Sequence, residues 1–213
     1  MAQGDTADKI LYAATVLFAE RGFTETSLRT ITGMADVNLA AVNYHFGSKK
    51  GLINAVFLRF LTPFVERLNI ELDQLEASLQ GAPGPSVDAL LRSLFASLLY
   101  AMEAVDGEPQ RFMRLLGLAY SQSQGHLRHS LMASYGDTYT RYLKLLRQAL
   151  PQVDPIAFYW RLYFMLGAAV FTLSSFDSIR AILNAEYNAD TDVNDALRLM
   201  VPALTGMLKT PDE

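Results

Sequence analysis

Between Asn38 and Lys50 the chain gathers side chains suited to gripping a polyanion and reading a base edge. Asn43 carries an amide that can pair bidentately with adenine in a major groove, and Leu39, Ala40 and Ala41 can lie against a thymine methyl. Tyr44 and His45 either touch phosphates or pack against a neighbouring helix, and Arg29 upstream can reach a phosphate or a base edge. Ser48 is a good helix N-cap, yet Lys49 and Lys50 then fill the first turn, where each cation opposes the helix dipole by about 0.3–1 kcal/mol. A docked phosphate reverses that sign, because free backbone N–H groups and both ammonium groups would face an anion. The plain alternative is a pair of solvated lysines.

The inventory for catalysis is missing. With no cysteine in 213 residues, disulfides, thiolate nucleophiles and cysteine-based metal sites are all excluded, which fits a reducing compartment. His126 and His129 stand one helical turn apart with Asp137 as the nearest downstream carboxylate, but no third ligand follows at usable spacing, so neither a metal nor a cofactor is expected. There is no Gly-rich phosphate loop, no Gly-x-Ser-x-Gly turn and no inward-facing carboxylate pair, so no enzyme is expected. Lys+Arg 18 against Asp+Glu 22 gives a net charge of −4. Positive and negative residues balance within residues 1–51, so any contact with a polyanion must be local. The longest stretch without a charged residue, Leu162 to Phe176, has 15 residues, fewer than the roughly 17–25 that span a bilayer. A buried helix and no membrane partner are expected there. Met1 to Lys9 offer no positive start leading into an apolar run, and a cytoplasmic protein is expected.

The elements that must position these residues are helical. Ile10, Ala13, Ala14, Leu17 and Phe18 share one helix face, predicting a helix near residues 6–21 with Thr6 or Asp5 as cap and Gly22 at its end. Thr26 or Ser27 caps a second helix with Leu28, Ile31 and Met34 or Ala35 inward, and Asp36 marks a tight turn. Asn38 caps a third, with Val42 and Phe46 inward and Gly47 closing it. A supporting helix before two short helices is the layout of a helix-turn-helix unit. Further helices are predicted near 49–79, 86–105, 109–121, 125–149, 155–184 and 192–208, with no convincing strand. With 51% hydrophobic residues, the expected fold is all-α. Residues 1–47 form a helix-turn-helix DNA-binding domain, and residues 48–213 a larger helical domain for ligand binding and dimerisation.

Residues 10–52 resemble the DNA-binding head of TetR-family transcriptional regulators. The resemblance rests on Ile10-Leu11, Ala13-Ala14, Leu17-Phe18-Ala19-Glu20-Arg21-Gly22-Phe23, Thr26-Ser27, Ile31, Ala35, Val37, Tyr44-His45-Phe46, Ser48-Lys49 and Leu52. Three positions depart from the family pattern: Asp36 for the usual Gly, Asn38 for Ser or Thr, and Asn43 for an aromatic residue. Asp tolerates the turn and Asn caps as well as Ser, so Asn43 alone points to an altered sequence preference. With the residues above, the expected DNA-binding set is Thr26, Ser27, Arg29, Asn38, Leu39, Ala40, Asn43, Tyr44, His45, Lys49 and Lys50.

The run Val37 to Lys50 and the stretches Phe112 to Ala119 and Ser121 to Arg128 are similar to fatty-acid-responsive repressors of that family. The similarity implies a homodimeric repressor whose body binds a long-chain acyl ligand, a fatty acid or its coenzyme A thioester, and then leaves double-stranded operator DNA. Phe95, Leu98, Met102, Phe112, Leu115, Leu116, Trp160 and Phe164 are expected to line an apolar pocket. Arg114, Gln124 and His126, with Arg111, Gln122 and Arg128 nearby, are expected at its mouth. The dimer is expected through the last two helices, by Leu162, Met165, Leu166, Ala169 and Phe176 on one and Val193, Leu197, Met200, Val201, Leu204 and Leu208 on the other. Three other readings remain open at this point: a sensor of another apolar or aromatic molecule, a DNA-binding protein with a ligand-free body, and a helical module whose head is coincidental.

Overall fold

The computed structural model describes residues 3–79, 84–104, 109–122 and 125–209, and among these every regular element is an α-helix. Helix α1 spans Gln3–Glu25 and so begins ahead of Thr6 and Asp5, the two residues expected to start it. Gly22, at φ 80° and ψ 169°, breaks it, a conformation open essentially to glycine alone. Helix α2, Leu28–Ala35, is capped by Ser27, whose Oγ accepts from Thr30 N. Of the two alternatives for its inward face, Ala35 is buried and Met34 exposed. Asp36 then takes the left-handed conformation at φ 52° while its N–H donates to Thr32 O, and Asp is one of the few residues that adopts this turn readily.

Helix α3, Leu39–Phe46, starts on Asn38, whose Oδ1 accepts from Ala41 N at 3.0 Å, and ends at Gly47 with φ 70°. Val42 is fully buried, while Phe46 is only half-buried. Helix α4, Lys49–Ser78, packs against α1 and α3 through its first half and also against the helices numbered next as α5, Val87–Ala104, and α7, Gly125–Gln148. Helix α6, Pro109–Ser121, packs against α1 and α8, Pro155–Ser174. Helix α9 is Phe176–Tyr187, and α10, Val193–Lys209, lies on α5 and α8. A single buried cluster runs from Ile10 in α1 to Leu208 in α10.

Three expectations need correction. The helix predicted over 155–184 is two helices: the chain breaks at Ser175, and Ser174 Oγ donates to Phe171 O, a local side-chain bond of the kind that competes with the helical ladder. Nor is this helix simply buried. It is long and apolar enough to cross a membrane by length and composition, yet Arg161 Nη1 on its flank donates to Leu208 O of α10 at 3.2 Å. Only Phe158, Met165 and Leu173 are buried on α8, whereas Ile156, Tyr159, Trp160, Tyr163, Phe164 and Phe171 stand exposed. On α10 the residues expected at a dimer interface, Leu197, Met200, Val201, Leu204 and Leu208, are the chain's own core, as are Met165 and Phe176. Leu162, Leu166, Ala169 and Val193 are half-buried.

Candidate nucleic-acid interface and ligand cavity

Asn43 and Tyr44 point out from α3 with no part in the core, and Tyr44 is 72% exposed. Leu39 and Ala40 are exposed beside them, and Arg29 is exposed on α2. His45 is half-buried between two rings: it meets Tyr44 edge-on at 5.0 Å and Phe46 at 6.0 Å. Asn38 and Ser27 spend a side-chain oxygen on capping, but both remain at the exposed N-terminal ends of their helices. Thr26 is a correction. It is fully buried, and its Oγ1 bonds Gly22 O at 2.8 Å and Leu17 O at 3.1 Å, so it holds the end of α1 and reaches no DNA.

Ser48 Oγ accepts from Gly51 N at 3.1 Å at the start of α4. Lys50 is exposed, and Lys49, half-buried, makes a long contact from Nζ to Thr24 O at 3.4 Å. Gly51 is a structural position that the sequence did not reveal. A Cβ there would lie 2.0 Å from Phe46 O, so only glycine lets the end of α3 approach the start of α4 and bring the lysines beside α3. The side-chain types near residue 51 carry no sign of this, because the constraint is a backbone approach.

In the body, a cavity of about 230 Å³ opens between α4, α5 and α7. Its wall is formed by Leu61, Phe64, Val65 and Leu68 of α4, Leu94 of α5, and Leu131, Met132, Tyr135, Thr138, Tyr139 and Tyr142 of α7. The polar groups around it are mostly engaged with protein. Tyr135 Oη bonds Thr62 Oγ1 at 2.7 Å, Thr138 Oγ1 pairs with Asn69, and Tyr142 Oη donates to Leu90 O at 3.1 Å. Burial pushes the Tyr142 hydroxyl far above its ordinary range. The Tyr139 hydroxyl is also raised, by burial first and then by Tyr163 and Tyr159, against the opposing pull of Arg128. That wall holds no charge.

None of the described residues expected in a pocket lines this cavity. Phe95, Met102, Phe112 and Leu115 are buried packing, with Phe112 stacked on Phe60 at 4.6 Å, and Leu98 and Leu116 pack against the same core. Trp160 and Phe164 are 60% and 56% exposed, stack on each other at 5.9 Å and, with Ala157 and Arg161, line an open depression of about 520 Å³ on the outer face of α8. The polar set does not converge either. Arg114 faces Asp177 at 3.7 Å, Gln122 bonds Phe23 N, and His126 is held below its ordinary pKa by burial and then by Lys50. Gln124 lies outside the described residues. The sequence grouped these residues by helix, but which face each helix presents is decided by its neighbours.

Residues 10–56 match the sequence family described as bacterial regulatory proteins, tetR family, and residues 92–207 match the one described as tetracyclin repressor-like, C-terminal domain. The chain belongs to the TetR family. Among the curated relatives, the probable HTH-type transcriptional regulator YttP of Bacillus subtilis is 40% identical over 63 residues, 30% of each chain. The chain spans about a third of the length of the curated relatives it matches, at 30% and 36%. Those relatives are named as transcriptional regulators, not as enzymes. Two solved structures share the TetR fold across nearly the whole chain. A TetR-family transcription regulator from Shewanella sp. PV-4 is 20% identical with a TM-score of 0.61, covering 94% of this chain and 95% of that one. The fatty acid degradation regulator FadR of Bacillus halodurans is 15% identical with a TM-score of 0.54, covering 94% of each.

Proposed function

We propose that this chain is a cytoplasmic, homodimeric transcriptional repressor that binds operator DNA through residues 1–47 and is released by a small apolar ligand held in residues 48–213. The observation that carries the reading is the outer face of α3. An exposed Asn43 and Tyr44 on a capped helix, with Lys49 and Lys50 opening the next, combine base-edge and phosphate chemistry on one surface. One such head offers too few contacts for tight binding, so two heads are needed about 34–36 Å apart. The exposed aromatic face of α8, together with Leu199 and Met207 exposed on α10, favours pairing with a second copy, since apolar surface of that extent marks an interaction site.

For the ligand, a long-chain acyl group is the reading we favour within this function. The similarity of Phe112 to Arg128 to fatty-acid-responsive repressors supports it, and so does the uncharged wall of the α4–α5–α7 cavity, which suits a hydrocarbon tail with its head outside. At about 230 Å³ the cavity is smaller than the roughly 300–1,000 Å³ typical of ligand pockets. A chain entering it must part α4 from α7, and α4 leads directly to the head. Met132 in the wall can repack around tails of different length.

Titration of the protein–operator complex with fatty acids and coenzyme A thioesters of several lengths tests this. A weakening of operator affinity by about 5–150-fold is expected. Unchanged affinity at every length overturns the acyl part and leaves the DNA-binding part standing.

A further inference from the structure

One hydrogen bond fastens the body to the backbone of the head at the one place where α1 is broken. At Gly22 the helical ladder stops, which frees a carbonyl and the amide that follows it. Thr26 from the head accepts the first task, donating to Gly22 O at 2.8 Å. The amide of Phe23 is satisfied from 99 residues away, by Gln122 Oε1 at 3.1 Å. Gln122 follows the last residue of α6, its own N–H bonded to Leu118 O at 2.9 Å. Residue 22 is held to glycine by its φ of 80°, and a Cβ there would also lie 2.7 Å from Gln122 Nε2, so the amide end of that side chain would have to shift.

Both ends of the bond are anchored. The Phe23 ring is buried and packs on Phe18 at 5.4 Å and on Phe57 of α4 at 6.1 Å. Helix α6 is held by Phe112, which stacks on Phe60 of α4, and by its packing against α8. A shift of α6 is therefore delivered to Phe23 and, through α1, to the two short helices that follow.

We infer that Gln122 is a positioning residue that sets the angle of the head against the body, with the glycine at position 22 as its seat. This deepens the proposed function, since it assigns the route by which a change in the body re-aims α3. Movement of α6 away from α1 breaks the bond to the Phe23 amide and frees the head to leave the spacing that two major grooves demand.

The test uses the full-length protein. Because the chain has no cysteine, Met34→Cys in α2 and Lys144→Cys in α7 take a pair of spin labels, and labelled chains are diluted with unlabelled ones. Pulsed dipolar spectroscopy then reads the head-to-body distance in the wild type, in Gln122→Met, which keeps the length but loses the acceptor, and in Gln122→Glu, which keeps the acceptor. Expected are a narrow distribution for the wild type and Gln122→Glu and a broad one for Gln122→Met. The Phe23 amide in Gln122→Met should exchange about tenfold faster, at a thermal midpoint close to the wild type, and operator affinity should fall about tenfold. A wild-type distance width together with wild-type protection of the Phe23 amide in Gln122→Met overturns the inference. Failure to bind any DNA with the distance effect intact would instead overturn the proposed function and leave the role of Gln122 in place.

Discussion

At the level of single residues, the two chemistries assigned to the head are separable. In the proposed function Asn43 reads a base and Lys49 meets a phosphate, so Asn43→Ala should cost about 1–3 kcal/mol on the best operator and relax preference at one position per half-site. Lys49→Ala should weaken all sequences alike and flatten the salt dependence by about one unit. Fluorescence anisotropy against operator variants at several salt concentrations checks both, and equal losses of specificity would contradict the assignment. His126 yields a pH dependence. Burial, with Lys50 second, holds its pKa below the ordinary value, so the folded chain binds the proton more weakly than the unfolded one. This contribution to stability is complete above about pH 6.5 and is lost as pH falls below it. The melting temperature should therefore drop less between about pH 7 and about pH 5.5 in His126→Gln than in the wild type, and an identical drop would contradict it. Residue types in the head were readable because caps and turns act locally: Ser27, Asn38 and Asp36 do what their side chains dictate. Thr26 and Gly51 were not, since one turns inward to bond the end of α1 and the other is fixed by the approach of Phe46 O.

At the level of elements, α8 shows where periodicity stops being informative. Its apolar residues occur on both sides, so the pattern marks a helix but cannot say which side meets the chain's own core. Phe158, Met165 and Leu173 take the inner side. Trp160, Tyr163 and Phe164 are left on the outer side, where a buried aromatic contributes of order 150–250 Å² each. Trp160→Glu should accordingly give a folded monomer in sedimentation. Leu204→Glu, at a fully packed position of α10, should instead lower stability by about 3 kcal/mol or more. A Trp160→Glu protein that sediments as a dimer would remove this face from the interface. The break at Ser174 and Ser175 was likewise hidden, because the apolar pattern continues through it into Phe176.

At the level of the whole molecule, the all-helical order and the helix-turn-helix head followed from capping residues and 3.6-residue periodicity, while the cavity did not. It is enclosed by residues far apart in sequence, from Leu61 to Tyr142, and depends on how α4, α5 and α7 splay. The same long helix α4 that walls the cavity carries Lys49 and Lys50 at its start, so in the proposed function the ligand cavity and the phosphate contacts share one helix. That arrangement has meaning only if two heads grip one duplex. Selection of the wild-type protein on random double-stranded DNA, with the recovered sites sequenced, examines this most directly. Enrichment of an inverted repeat whose half-sites lie about 10–10.5 base pairs apart, or a multiple of that, is expected. Recovery of no preferred sequence, or of a single half-site bound by one chain, would contradict it.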